Sequence, residues 1–112
     1  MSTITTHVLD TSLGRPAAGV DVMLERFGEG SSLIMGRGKT DADGRIRDLV
    51  SGGQPLAPGT YRLRFATGDY FARTGREAFY PVVDVCFTIA SESHYHVPLL
   101  LSPFGYSTYR GS

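Results

Sequence analysis

Three histidines, ten arginines and a tyrosine-rich closing segment carry most of the chemistry this sequence offers. His7 lies in "TTHVLDT" (5–11), and His94 and His96 flank a tyrosine in "HYHVPLLLS" (94–102). Two imidazoles can divide the roles of general base and general acid near neutral pH. Arg45 follows the turn "DADG" (41–44). An arginine fork there could hold a carbonyl-rich or anionic substrate and the oxyanion that develops on it. Tyr109 and Arg110 stand in "YSTYRGS" (106–112). That segment reads either as a polar fray after the last strand or as a stretch folded inward and used. His7, Arg45, His96, Tyr109 and Arg110 are far apart along the chain. Each nevertheless sits on a strand or strand end where a two-sheet fold could bring them together.

Other chemistries fit less well. On one strand face His94 and His96 stand roughly 7 Å apart, and with His7 they could make a three-histidine zinc site. No nearby cysteine or carboxylate pattern completes it, so no metal is expected, and His94 reads as a solvated residue at a strand start. "GRGKT" (36–40) resembles the end of a phosphate-binding loop, but Leu33 occupies the place of the required glycine. The stretch also precedes a turn, where the motif would open a helix. "DADG" looks like the head of a calcium loop, yet the twelfth position from Asp41 is Gly52. A hairpin turn with Gly44 at positive φ is expected instead. Cys86 is the only cysteine, so there is no internal disulfide, and it reads as a small core-strand residue rather than a nucleophile.

Strands must position these groups, because most of the chain alternates with period two. In "TYRLRFA" (60–66), Tyr61, Leu63 and Phe65 point one way and Arg62 and Arg64 the other. "VDVMLERF" (20–27) and "VVDVCFTI" (82–89) alternate likewise, and 94–102 turns Tyr95, Val97, Leu99 and Leu101 inward. A first strand is expected over 5–11 and a last short one over 105–110. Turn signals fall at 13–19, 27–32, 41–44 and 51–59. Only "GDYFARTGRE" (68–77) has helical character, with Tyr70, Phe71 and Thr74 on one side and Gly75 as the stop. About eight short strands and one helix imply an all-β protein built as a β-sandwich.

At 112 residues one domain is expected. Eleven basic and eleven acidic side chains cancel. No excess positive charge is therefore available to draw in nucleic acid or an anionic membrane. No apolar run approaches the roughly 20 residues of a spanning helix. The first residues have neither a basic start nor an apolar run of secretory type, so the cytoplasm is expected.

"THVLDTSLGRPAAGV" (6–20), "TDADGR" (40–45), "GTYRLRF" (59–65) and "YHVPLLLSPFGYSTYRGS" (95–112) together resemble the transthyretin-related 5-hydroxyisourate hydrolases. The resemblance covers nearly the whole chain in order, and "YRGS" is its most specific element. Asp41 departs from the asparagine usual in the family. The resemblance implies two four-stranded sheets with one short helix. It also implies a homotetramer, a dimer of dimers, with active sites in a channel between dimers. It places active-site histidines at His7 and His96, the arginine at Arg45, and the signature at Tyr109, Arg110, Gly111 and Ser112; His94 matches no catalytic position. The implied reaction is hydrolysis of 5-hydroxyisourate to 2-oxo-4-hydroxy-4-carboxy-5-ureidoimidazoline, with no cofactor because the substrate is already activated. Which histidine is the base stays open. A transthyretin-like carrier that holds an aromatic ligand without chemistry is the rival reading.

Overall fold

Period-two sequence becomes alternating burial in β1 (Thr3–Asp10). In the computed structural model, which describes residues 3–28, 30–50 and 55–112, this strand buries Ile4, Thr6, Val8 and Asp10 and turns Thr3, Thr5, His7 and Leu9 outward. β2 (Arg15–Pro16), β3 (Asp21–Gly28), β4 (Ser31–Lys39) and β5 (Arg45–Ile46) follow. Then come β6 (Gly59–Phe65), helix α1 (Thr67–Arg73), β7 (Val83–Ile89), β8 (His94–Ser102) and β9 (Gly105–Thr108). Part of the turn expected at 51–59, and Glu29 in the turn at 27–32, lie outside the described residues.

Two sheets result. One runs β2-β1-β8-β9 with β5 also on β1, and the other runs β4-β3-β6-β7. β2 pairs with Leu9 and Asp10, and β5 with Thr6 and His7. Both take the β1 edge that β8 leaves open, so the first sheet holds five strands yet is four strands wide, as expected. β1 and β8 run parallel, with Thr5 opposite His96 and His7 opposite Pro98. Between the sheets lie Ile4, Val8, Leu24, Tyr61, Leu63, Phe65, Val97 and Leu99. Each large apolar side chain so buried contributes about 1.5–3 kcal/mol. No helix among the described residues is long and apolar enough to cross a membrane.

As its context indicated, "GRGKT" runs along β4 (31–39) at a sheet edge and not at a helix N-terminus. Gly38 is there because a Cβ would press on Ile46 Cγ2 at 3.0 Å. Two other local readings need correcting. Cys86 is exposed, on the outer face of β7 opposite Arg62, and is not a core residue. The helix buries Thr67, Tyr70 and Phe71, whereas Thr74 is exposed. Gly75 does follow the helix at φ 70°.

Asp10 pins that helix to β1. Its buried carboxylate accepts hydrogen bonds from Arg76 Nη2 at 2.6 Å, Tyr70 Oη at 2.7 Å and Ser12 Oγ at 2.6 Å. Burial alone would raise its pKa. The Arg76 bond and charge, with the two hydroxyls, outweigh that and hold it at about 2 against an ordinary 3.8. A depressed carboxyl stabilises the fold above its unfolded pKa and loses that contribution as pH falls towards its folded one. Asp10→Asn is therefore expected to lower the unfolding free energy at pH 7 by about 3 kcal/mol. It should also flatten the decline between pH 4 and pH 2 in urea titrations. An unchanged pH profile would mean Arg76 is held by other groups.

Candidate active site

A tight turn delivers Arg45 to β1. Asp41 Oδ1 accepts the backbone N–H groups of Asp43 at 2.9 Å and Arg45 at 3.0 Å. An asparagine oxygen would serve equally, so the Asp41 departure costs the turn nothing. Those bonds, the backbone N–H of Arg45 foremost, hold the Asp41 carboxyl below its usual range. Gly44 has φ 74°, and a Cβ there would collide with the Val8 carbonyl, so glycine is required on both counts. Val8 N–H then bonds to the Gly44 carbonyl at 2.8 Å, and Arg45 pairs with His7.

The outer face of the first sheet carries a cleft of about 320 Å³ lined by Thr5, Thr6, Arg45, Ile46, Arg47, His94, His96 and Ser112. Three of the expected residues, Arg45, His96 and Ser112, thus meet there. His7 is next to Arg45 in register and half-buried on the same outward face, without lining the cleft itself. Gly111 backs it: its N–H bonds to the His96 carbonyl at 2.8 Å, and the His96 ring lies so close that a Cβ on Gly111 would overlap Cδ2. Tyr109 and Arg110 do not line the cleft. Tyr109 is exposed, and the Arg110 guanidinium sits 4.7 Å from the centre of the Tyr95 ring.

Period two and the parallel register put His94, His96 and Thr5 side by side. Thr5 Oγ1 lies 2.7 Å from His96 Nδ1 and 3.4 Å from His94 Nε2, and Thr3 Oγ1 lies 2.6 Å from His94 Nδ1. The two imidazoles are nearly parallel, 6.4 Å apart at 10°. Among the described residues no group of three histidine, cysteine or carboxylate side chains could hold a metal ion. Burial lowers the His96 pKa below 6.5, and the nearby charges of His94, Arg45 and His7 lower it further; a hydrogen bond to the Thr5 backbone pulls the other way without cancelling them. A neutral imidazole beside an arginine fork can take a proton from water while the fork steadies an oxyanion.

The sequence reading omitted Thr5, although its place two residues before His7 puts it on the same face. It also left His94 and Arg47 outside the site, where both line the cleft.

Residues 4–111 match the HIUase/Transthyretin family. The chain is 49% identical over 117 residues to the 5-hydroxyisourate hydrolase of Caulobacter vibrioides, covering 100% of both chains. The structure resembles that of Klebsiella pneumoniae 5-hydroxyisourate hydrolase with a TM-score of 0.85 and 46% identity, covering 100% of this chain and 94% of that one. It also resembles sea bream transthyretin in complex with thyroxine, with a TM-score of 0.89 and 33% identity over 97% and 94% of the two chains.

Proposed function

The chain belongs to the HIUase/Transthyretin family, and on that premise we propose that it hydrolyses 5-hydroxyisourate to 2-oxo-4-hydroxy-4-carboxy-5-ureidoimidazoline, residues 1–112 acting as one hydrolase domain. The observation that carries this reading is the meeting of Arg45 with a histidine biased to its neutral form, His96, in one cleft. His96 takes a proton from water as the water oxygen bonds to a ring carbonyl carbon. Arg45 holds the charge that develops on the carbonyl oxygen. The ring C–N bond then breaks, and the departing nitrogen receives a proton from the second acid, His7. Gly111 and Ser112 form the wall of the pocket, with Tyr109 and Arg110 joining in the assembled protein. No cofactor takes part.

A carrier with the same fold would bind an aromatic ligand and leave it unchanged. Mixing protein with a hundredfold molar excess of freshly generated substrate separates the two. A hydrolase consumes the whole excess, and a carrier protects at most a stoichiometric amount.

The arginines offer a sharper check. Arg45 and Arg47 both line the cleft. Arg45→Lys keeps the charge but loses the planar fork, and is expected to lower kcat/KM about tenfold to a hundredfold. Arg47→Lys should stay within about twofold of the parent. Equal losses would mean a diffuse field of charge rather than one positioned group.

The working assembly is a homotetramer, a dimer of dimers, in which outer sheet faces meet across the cleft. β9 and β7 are sheet edges, and Tyr106 in β9 and Phe104 and Tyr109 beside it are exposed. Such edges with apolar neighbours are suited to pairing with another chain. Sedimentation is expected to give about 48 kDa, four chains of 12.1 kDa. A monomer that turns over substrate would overturn the shared site.

A further inference from the structure

The Thr5 hydroxyl touches both imidazoles of β8, and the proposed reaction has so far used only one of them. Its Oγ1 is 2.7 Å from His96 Nδ1 and 3.4 Å from His94 Nε2, and Thr3 Oγ1 is 2.6 Å from His94 Nδ1. Thr3, Thr5, His94 and His96 therefore form one chain, Thr3–His94–Thr5–His96, across paired strands. The parallel register fixes it by setting Thr3 opposite His94 and Thr5 opposite His96. A threonine hydroxyl gives one proton and accepts others, and a neutral imidazole carries one N–H. With both rings neutral, the chain can run in two directions in which Thr5 donates one of its bonds and accepts the other.

In one direction His96 Nδ1–H donates to Thr5, Thr5 donates to His94 Nε2, and His94 Nδ1–H donates to Thr3. This leaves a bare lone pair on His96 Nε2, the nitrogen not committed to Thr5. In the other direction every donor reverses, and His96 Nε2 carries the proton. The first arrangement is a base and the second an acid. With Nδ1 tied to Thr5, the other nitrogen is left for the cleft that His96 lines.

We propose that Thr5 is a positioning residue that fixes the tautomer of His96 and passes its surplus proton to His94, at the exposed end of the chain. This rests on the hydrolase reading above. When His96 Nε2 takes a proton from the attacking water, His96 Nδ1–H moves to Thr5 Oγ1 and the Thr5 hydroxyl proton moves to His94 Nε2. His96 is then neutral again, with its proton on Nε2, and the positive charge rests on His94. His94 is exposed and returns that proton to solvent. No atom beyond the water proton enters the chain. The charged and titratable groups facing His96 are His94 on its own strand, His7 on β1 and Arg45 on β5, with Arg47 and Ser112 also lining the cleft. Of these, Arg45 and His7 disfavour positive charge on His96.

The test uses Thr5→Val, which keeps shape and removes the hydroxyl, beside Thr5→Ser, which keeps the hydroxyl. The tautomer of His96 is read from the nitrogen-15 shifts of its ring, with the His96→Asn spectrum for assignment, and kcat is read in parallel. In the parent and in Thr5→Ser, His96 should populate the Nδ1–H form. In Thr5→Val it should shift towards Nε2–H, and kcat should fall about tenfold to a hundredfold, the usual cost of removing a group that orients a reacting one. His94→Gln removes the acceptor at the exposed end of the chain and should lower kcat by a similar factor. Equal loss in both Thr5 variants, or a His96 tautomer unmoved by Thr5→Val, would overturn the proposal. The nitrogen shifts need no substrate, so a parent protein inactive on 5-hydroxyisourate would overturn the hydrolase reading while the tautomer result still decides the role of Thr5.

Discussion

Replacing His96 by asparagine is expected to slow ring opening of 5-hydroxyisourate by two to four orders of magnitude, the span usual for losing a positioned acid or base. The amide can occupy much of the imidazole's volume and still meet Thr5, but it cannot take a proton from water at pH 7. The ring is only half-buried, on the outward face of β8, so the core beneath it should not be disturbed. Urea titration is expected to place the variant within about 1 kcal/mol of the parent, as for most surface substitutions. Full activity in a folded variant would remove His96 from the chemistry. Loss of fold would make it a structural residue.

Gly111→Ala should do nearly as much harm through geometry alone. The new Cβ would overlap His96 Cδ2 and press on His96 Cγ at 3.2 Å and Pro98 Cγ at 3.3 Å. Pro98 is buried in β8, so the ring or the segment carrying Gly111 must move. A displacement of about 1 Å at a reacting group costs roughly a hundredfold in rate. Loss of kcat by that factor, with unchanged thermal stability, is the expected result from steady-state kinetics and a melting curve. A silent Gly111→Ala would mean that the His96 ring does not need its present position.

Much of the sandwich could be read from alternation, because a strand buried on one face writes its period directly into the sequence. β6 and β8 were the clearest cases, with Tyr61, Leu63, Phe65 and Tyr95, Val97, Leu99, Leu101 all buried. The failures have physical causes. β4 exposes Leu33 and Ile34 and buries Gly36, so its apolar residues mark no single face. β2 and β5 are two-residue pairings decided by the edge of β1 and not by their own composition. Cys86 sits opposite the inward residues of β7, so its own alternation already pointed outward.

For the site, residue types identified candidates and only register could assemble them. His96 reaches Thr5 and the backbone of Gly111 because β8 runs parallel to β1 and the chain returns along its other side through β9. Nothing within either segment specifies that register. Arg110 shows the reverse limit. Its type suits a substrate clamp, yet within one chain its guanidinium lies over Tyr95 and its Nη2 donates to the His94 carbonyl at 3.4 Å. Its part in the reaction depends on the assembly.

The central claim is that this chain opens the 5-hydroxyisourate ring using the Arg45–His96 cleft. The most direct test follows the ultraviolet absorbance of freshly generated 5-hydroxyisourate, with parent protein, with His96→Asn and with buffer alone at pH 7. The decay with parent should rise in proportion to protein concentration and saturate with substrate, giving the ureidoimidazoline product, while His96→Asn adds at most about 1% of the parent's added rate. Decay indistinguishable from buffer with the folded parent, or equal acceleration by parent and His96→Asn, would contradict it.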